Sequence, residues 1–240
     1  MNRNMKKIFV LMLFLSLIPA VNAGAQFREG ASYQELYDSE TVTTMKSHVR
    51  TLSSAMLEGR KAGSEGEKMA AEYMEETLKS YGVDVLSPKG GETFGLRKEN
   101  GDTLTSRNVV AYVPGYDKNL RDRYIVVGAR LDNLGSMTMT IDGRPVEKIL
   151  AGANGNASGL ALMLELARMV QTNSVLFRRS VIFVAFGAST EIFAGSWYFL
   201  NRSFADVDNI DAMINLDMLG TGYKGFYAYT SSNADMNALI

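Results

Sequence analysis

The chain has 240 residues, with 25 Lys and Arg against 26 Asp and Glu, no Cys and a single His, His48. A slightly acidic balance argues against nucleic acid or an anionic membrane as partner. Without Cys there are no disulfides or thiolate ligands, and one His leaves little for a multi-His zinc site or a His-based hydrolase triad.

Arg3, Lys6 and Lys7 precede an almost wholly apolar run from Ile8 to Val21. Small residues follow at Val21-Asn22-Ala23 and Ala23-Gly24-Ala25. This pattern predicts a cleaved secretory signal peptide over residues 1–25. The run of about fourteen residues falls short of the roughly twenty that span a bilayer. Cleavage would leave 22 basic against 26 acidic residues, a net charge of −4. The expectation is a soluble secreted or periplasmic protein with no membrane partner after cleavage. Residues 26–40 read as a polar lead-in and residues 41–240 as one domain.

Met45, Val49, Leu52 and Met56 recur at helical spacing and predict a first helix. The stretch Glu58-Gly59-Arg60-Lys61-Ala62-Gly63 breaks it. Ser64 is placed to cap a second helix, with Glu67 as capping-box partner, Met69, Tyr73 and Leu78 inward, and Gly82 at its end. Three β-rich runs follow, Asn108–Val113, Tyr124–Ala129 and Ser180–Phe186. Between the last two, Gly159–Val170 predicts a helix with Leu162, Leu166 and Met169 inward. Glu191–Leu200 is predicted helical, Met213–Leu216 and Phe226–Tyr229 are predicted strands, and a further helix is expected after Asn233. Strands alternating with helices predict an α/β fold in three layers, with a mixed, mostly parallel sheet flanked by helices. In such sheets sites form at the C-terminal ends of strands, here just after Ala129, Phe186 and Leu216.

Those positions read Gly128-Ala129-Arg130-Leu131-Asp132-Asn133-Leu134-Gly135, Phe186-Gly187-Ala188-Ser189-Thr190-Glu191 and Asn215-Leu216-Asp217-Met218-Leu219-Gly220. Gly152-Ala153-Asn154-Gly155-Asn156-Ala157-Ser158-Gly159 lies between the first two. Leu57-Glu58-Gly59-Arg60, Gly63-Ser64, Ser106-Arg107-Asn108-Val109-Val110 and Gly195-Ser196 add to the pattern. In this order the chain, from about Leu52 onward, resembles the co-catalytic zinc exopeptidases of metallopeptidase family M28. That family includes bacterial leucyl aminopeptidase and glutamate carboxypeptidase. It also includes two members without peptidase activity, transferrin receptor and nicastrin.

The resemblance implies a zinc-exopeptidase fold and a two-zinc site. In the family a His, a bridging Asp, a Glu general base, a Glu ligand, an Asp ligand and a later His fill the roles. Carried onto this chain, the first His position is Arg130, the bridging Asp is Gly155, the general base is Ser189 and its neighbouring ligand is Thr190. Asp217 is the surviving ligand position. Asp132 matches the carboxylate that orients the His. The last His has no counterpart, and the resemblance implies that the family's final strands and helices fall beyond Ile240. A one-residue slip would bring Glu191 to the ligand position, but Gly195-Ser196 fixes the register against it.

A zinc ion held for catalysis needs about three protein ligands, and guanidinium cannot ligate a cation. No bound cofactor is therefore expected, where the family's activity would require two zinc ions. Arg130 is placed to stand where metal charge would stand and to pair with Asp217, Asp132, or both, because an unpaired buried carboxylate is costly. The reading that follows is an exported pseudopeptidase that binds a peptide or protein ligand. Its rivals are an active zinc aminopeptidase whose missing parts lie elsewhere, and an unstable truncated product. His48 matches no ligand position. Asn154 and Asn156 read as turn or cap residues. Ser158 and Ser189 lack the surroundings of a nucleophile. Trp197 and the scattered Met residues read as packing.

Overall fold

The computed structural model describes residues 39–221, with Glu35, Tyr37 and Ala228. Met1–Asp38 separates as a unit of its own, and the fold below is that of the unit Ser39–Ile240. The predicted signal peptide, the strand predicted at Phe226–Tyr229 apart from Ala228, and the helix predicted after Asn233 lie outside the described residues.

Helix α1 (Glu40–Leu52) starts at Ser39, whose hydroxyl accepts the Val42 N–H at 3.3 Å. It buries His48 and Leu52. Met56, predicted on the same inner line, lies beyond the helix in a short 3-10 turn and is exposed. His48 packs between two tyrosines, with Nδ1 2.7 Å from the Tyr73 hydroxyl and Nε2 3.0 Å from that of Tyr81. Burial lowers its pKa. The one His thus ties α1 to the next helix.

Helix α2 (Glu65–Ser80) is capped by Ser64, whose hydroxyl accepts the Glu67 N–H at 3.2 Å. The reciprocal half of the capping box is not made. The Ser64 N–H donates to Lys61 O, and the Glu67 carboxylate turns into the protein. Ala70, Ala71, Met74 and Leu78 form the buried face, with Met69 and Tyr73 packed at its edge.

The strands are β1 (Asp84–Val85), β2 (Glu92–Arg97), β3 (Thr103–Val113), β4 (Tyr124–Arg130), β5 (Ser136–Ile141), β6 (Arg144–Ile149), β7 (Ser180–Phe186) and β8 (Ile210–Leu216). Six of them form one sheet in the order β1-β3-β7-β4-β8, with β2 paired to β3. β4 runs parallel to both β7 and β8, while β3 runs antiparallel to β7. β5 and β6 form a separate two-stranded ribbon.

Every residue of β7 is buried, and its period of two divides them between two cores. Val181, Phe183 and Ala185 join the core that contains Leu52, Met74 and Leu164. Ile182, Val184 and Phe186 join a smaller core built on Phe199. Full burial of a side chain such as Phe183 contributes roughly 1.5–3 kcal/mol. This is the mixed α/β sheet that the alternation of elements predicts, but among the described strands it is not mostly parallel: three of its five pairings are antiparallel.

Helix α3 (Ser158–Thr172) links β6 to β7 and buries Leu160, Ala161, Met163, Leu164, Ala167 and Val170. The predicted inward set holds only in part: Leu162 and Leu166 are half-buried, packed at the edge of the core, and Met169 is exposed. A helix covered on more than one side buries more than one stripe, and a single periodic stripe then misreads its face. The helix predicted over Glu191–Leu200 starts three residues later and runs on past Tyr198 as a π-helical turn over Phe199–Ser203. Only α4 (Ala194–Tyr198) is regular, because Ile192 and Phe193 take left-handed φ values of 57° and 56°. Trp197 is exposed rather than packed. The Met residues divide: Met74 and Met163 fill the core, whereas Met56, Met169 and Met218 face solvent.

Candidate functional site

In-register pairing brings the C-terminal ends of β4, β7 and β8 level. Arg130 lies opposite Phe186, and Ala129 opposite Leu216. The segments that follow therefore converge: Leu131–Asn133, Gly187–Thr190 and Asp217–Gly220. The turn Ala153–Ala157, which leads into α3, closes the group.

Arg130 reaches Asp217. Its Nη2 donates to Asp217 Oδ1 at 2.7 Å, and its Nε lies 3.2 Å from both carboxylate oxygens. The side chains are 21% and 38% exposed. The alternative pairing of Arg130 with Asp132 is not formed. Asp132 is fully buried and accepts the Ser189 N–H at 2.7 Å, the Thr190 N–H at 3.0 Å and the Thr190 hydroxyl at 2.6 Å. Backbone amides of the following loop, rather than a cation, satisfy it. The Ser189 hydroxyl donates to Phe186 O. At Gly155 a built Cβ would have only Arg130 Nη2 within 4 Å, at 3.9 Å, so the space beside the guanidinium is open.

Two asparagines fasten the neighbouring loops. Asn156 Oδ1 accepts the N–H groups of Gly159 at 3.2 Å and Met218 at 3.0 Å, while its Nδ2 donates to Leu216 O at 2.9 Å. Asn154 Oδ1 accepts the Gly220 N–H at 2.7 Å. The predicted cap role of Asn156 is therefore joined by a tie to the loop after β8. Ser158 also serves structure, donating to Asn154 O and accepting the Leu219 N–H.

Three further residues support the site: Arg60 and Asn108, which the sequence reading does not single out individually, and Glu67, which it names only as a capping-box partner. Arg60 is fully buried and donates to the carbonyls of Leu52, Leu131, Ala151 and Gly152. Burial first, opposed by Asp132 and reinforced by Arg130, brings its pKa down to about 10. Glu67, also fully buried, accepts the Ser106 hydroxyl at 2.5 Å and the Gly63 N–H at 2.8 Å. Burial raises its pKa to about 7, against the pull of these two bonds. Asn108 spans the loop after β7, accepting the Gly187 N–H and donating to Gly195 O. Gly187 must be glycine here: a Cβ would fall 2.2 Å from Arg107 O and 2.5 Å from Ser106 Oγ. Arg60 and Asn108 stand within stretches already notable for their order. A Gly-flanked Arg between apolar segments is the signal that could have drawn attention to the first.

These donors do not fit a pair of zinc ions. Arg130 is a permanent cation, Gly155 has no side chain, and the hydroxyls of Ser189 and Thr190 are donors to oxygen. Among the described residues no group of three His, Cys, Asp or Glu side chains could hold a metal. The Arg130–Asp217 pair instead supplies charge balance. Asp217→Asn should lower stability by about 1 kcal/mol, since a part-exposed pair is worth little more. Urea unfolding of parent and variant measures it, and an unchanged midpoint would remove the pair from any account of stability.

The chain matches Peptidase family M28 over residues 108–239. Among curated relatives it is 26% identical over 218 residues to leupeptin-inactivating enzyme 1 of Streptomyces exfoliatus, covering 90% of this chain and 44% of that one. It is 29% identical over 141 residues to aminopeptidase YwaD of Bacillus subtilis (strain 168), covering 56% and 30%. The chain thus spans less than half the length of these relatives. Among solved structures it is similar in fold to a Zn-dependent exopeptidase from Parabacteroides distasonis ATCC 8503. The TM-score is 0.57 at 17% identity, over 74% of this chain and 61% of that one. A Porphyromonas gingivalis glutaminyl cyclase gives a TM-score of 0.60 at 19% identity, over 74% and 61%. The match of the family over the strand ends and their loops, on the fold of a zinc exopeptidase, places the chain in peptidase family M28.

Proposed function

We propose that this chain is a non-catalytic member of its family, exported to the periplasm or beyond, whose cleft binds a peptide or protein without cleaving it. The bidentate contact of Arg130 with Asp217 carries the reading. It occupies the one carboxylate left at a ligand position with a cation that cannot leave by deprotonation. The loop that would offer a general base offers hydroxyls instead, and Asp132 binds its backbone. The open space at Gly155 leaves room for a ligand beside Arg130. A relative named as an aminopeptidase supports a peptide terminus as the chemistry that fits there.

Export rests on the basic, apolar and small-residue order of residues 1–25. No helix among the described residues is long and apolar enough to cross a membrane.

The test is the zinc content of the purified protein after incubation with zinc and removal of loose metal. We expect a ratio near zero and no release of leucine from leucyl-p-nitroanilide. One or two zinc ions per chain, with hydrolysis that a chelator abolishes, would overturn the proposal and restore an active aminopeptidase.

A further inference from the structure

The ribbon β5–β6 rises from the rim of the candidate site. At its foot Asn133 Nδ2 donates to Leu150 O, the Leu150 N–H to Gly135 O, and the Gly135 N–H to Gly59 O. Asp142 and Gly143 form the tip, with φ values of 51° and 75°, the positive pair that a tight two-residue hairpin requires. All of the residues in both strands are exposed.

Register and the period of two sort the side chains. Met137 faces Lys148, Met139 faces Val146 and Ile141 faces Arg144, so these six share one face. The four apolar members are 38–49% exposed. Neither cation has an ion-pair partner among the described residues. Glu147 lies on the opposite face, bound by the Ser136 hydroxyl at 2.6 Å. A two-stranded ribbon is marginal in water by itself, and this one shows a cationic, apolar face to solvent.

We infer that this face docks an extended segment of a protein partner carrying acid-x-apolar-x-acid along one side. Lys148 and Arg144 are four residues apart on β6 with Val146 midway. At about 3.3 Å per residue they stand about 13 Å apart, the span between residues i and i+4 of any extended strand. Carboxylates at those two positions meet Lys148 and Arg144. The apolar residue between them meets Val146 and the Met137, Met139 and Ile141 row. Charge complementarity selects this occupant. A second copy would set Arg144 and Lys148 against the same cations, and a chain with 26 acidic and 25 basic residues has no net attraction to an anionic membrane. The surface goes beyond the proposed function and holds whether or not the neighbouring cleft hydrolyses peptides.

The probe is the labelled peptide acetyl-Thr-Glu-Thr-Leu-Thr-Glu-Thr-amide, followed by fluorescence anisotropy on the full chain. We expect saturable binding that weakens as salt rises from about 50 to about 500 mM. The double variant Arg144→Glu, Lys148→Glu should bind it about tenfold more weakly. The same variant should bind the peptide with both Glu replaced by Lys, which the parent does not. Val146→Thr keeps strand propensity and should also weaken binding. Absence of saturable binding, or equal binding by parent and double variant, overturns the inference. So does co-sedimentation of the parent with phosphatidylserine vesicles, which assigns the face to membrane. A dimer in sedimentation velocity that the charge reversal abolishes assigns it to a second copy. None of these readouts touches zinc content, so the two proposals fail separately.

Discussion

Replacing Arg60 by methionine should lower the unfolding free energy by about 3–5 kcal/mol. Arg60 is fully buried and donates to four carbonyls from three separate segments. Leu52 ends α1, Leu131 follows β4, and Ala151 and Gly152 lead to the turn before α3. Methionine matches the volume but leaves those oxygens without donors, at about 1–3 kcal/mol for each that water does not reach. Relief from burying a guanidinium offsets part of the loss. That offset is real, because burial already brings the Arg60 pKa down to about 10. Lysine should be little better, since a point charge cannot reproduce a planar fork spread over four acceptors. Urea unfolding midpoints with unchanged slope provide the measurement. A loss under about 1 kcal/mol would show that the three segments hold their places without Arg60.

The same residue marks the limit of what the sequence makes legible. β4 and β7 can be read almost to the residue, because Tyr124–Arg130 and Ser180–Phe186 are β-rich runs buried deep in the sheet. β3 is recognisable only from Asn108. Its earlier part, Thr103–Arg107, is polar and pairs outward with β2. The ribbon was not anticipated, although Asp142-Gly143 between alternating segments is a strong hairpin signal. Its two strands mix apolar and polar residues and carry no continuous apolar run of the kind that marks β4 and β7. The break before α4 cannot be read locally at all, since Ile192 is a β-branched residue at positive φ, which propensity disfavours.

Past the strand ends, Arg130 meets Asp217, Asp132 meets Ser189 and Thr190, and Gly155 lies beside Arg130. Partner choice needed the fold. Arg130 and Asp132 share a strand direction in sequence, yet β4 ends at Arg130, and Leu131 hydrogen-bonds to Phe186 O as the chain turns. Asp132 then meets the amides of Ser189 and Thr190. Burial of Arg60 and Glu67 is equally tertiary. Both residue types are usually at the surface, and only the packing of distant segments over them says otherwise.

Glu67 gives the second large effect, and its sign depends on pH. Its folded pKa of about 7 lies above the ordinary 4.5, because burial and the nearby Asp132 outweigh its hydrogen bonds and Arg107. The folded state therefore holds a proton that the unfolded state has released between those values. Stability is fully present below about pH 4.5, is lost as pH rises through 7, and stays lost above it. The shift corresponds to a loss on the order of 3 kcal/mol. Glu67→Gln removes the ionisation while keeping an acceptor for the Gly63 N–H, and the Ser106 hydroxyl can accept from the new amide. The variant should match the parent below about pH 4.5, exceed it increasingly as pH rises to about 7, and keep a constant excess above that. Unfolding free energies of both proteins across that range decide the matter. Parallel curves would mean that Glu67 ionises in the folded protein as it does in the unfolded chain. The wedge of Glu67 and Ser106 beneath Gly187 would then be a charged support of the loop after β7, held by Gly63 and Arg107, rather than a neutral one.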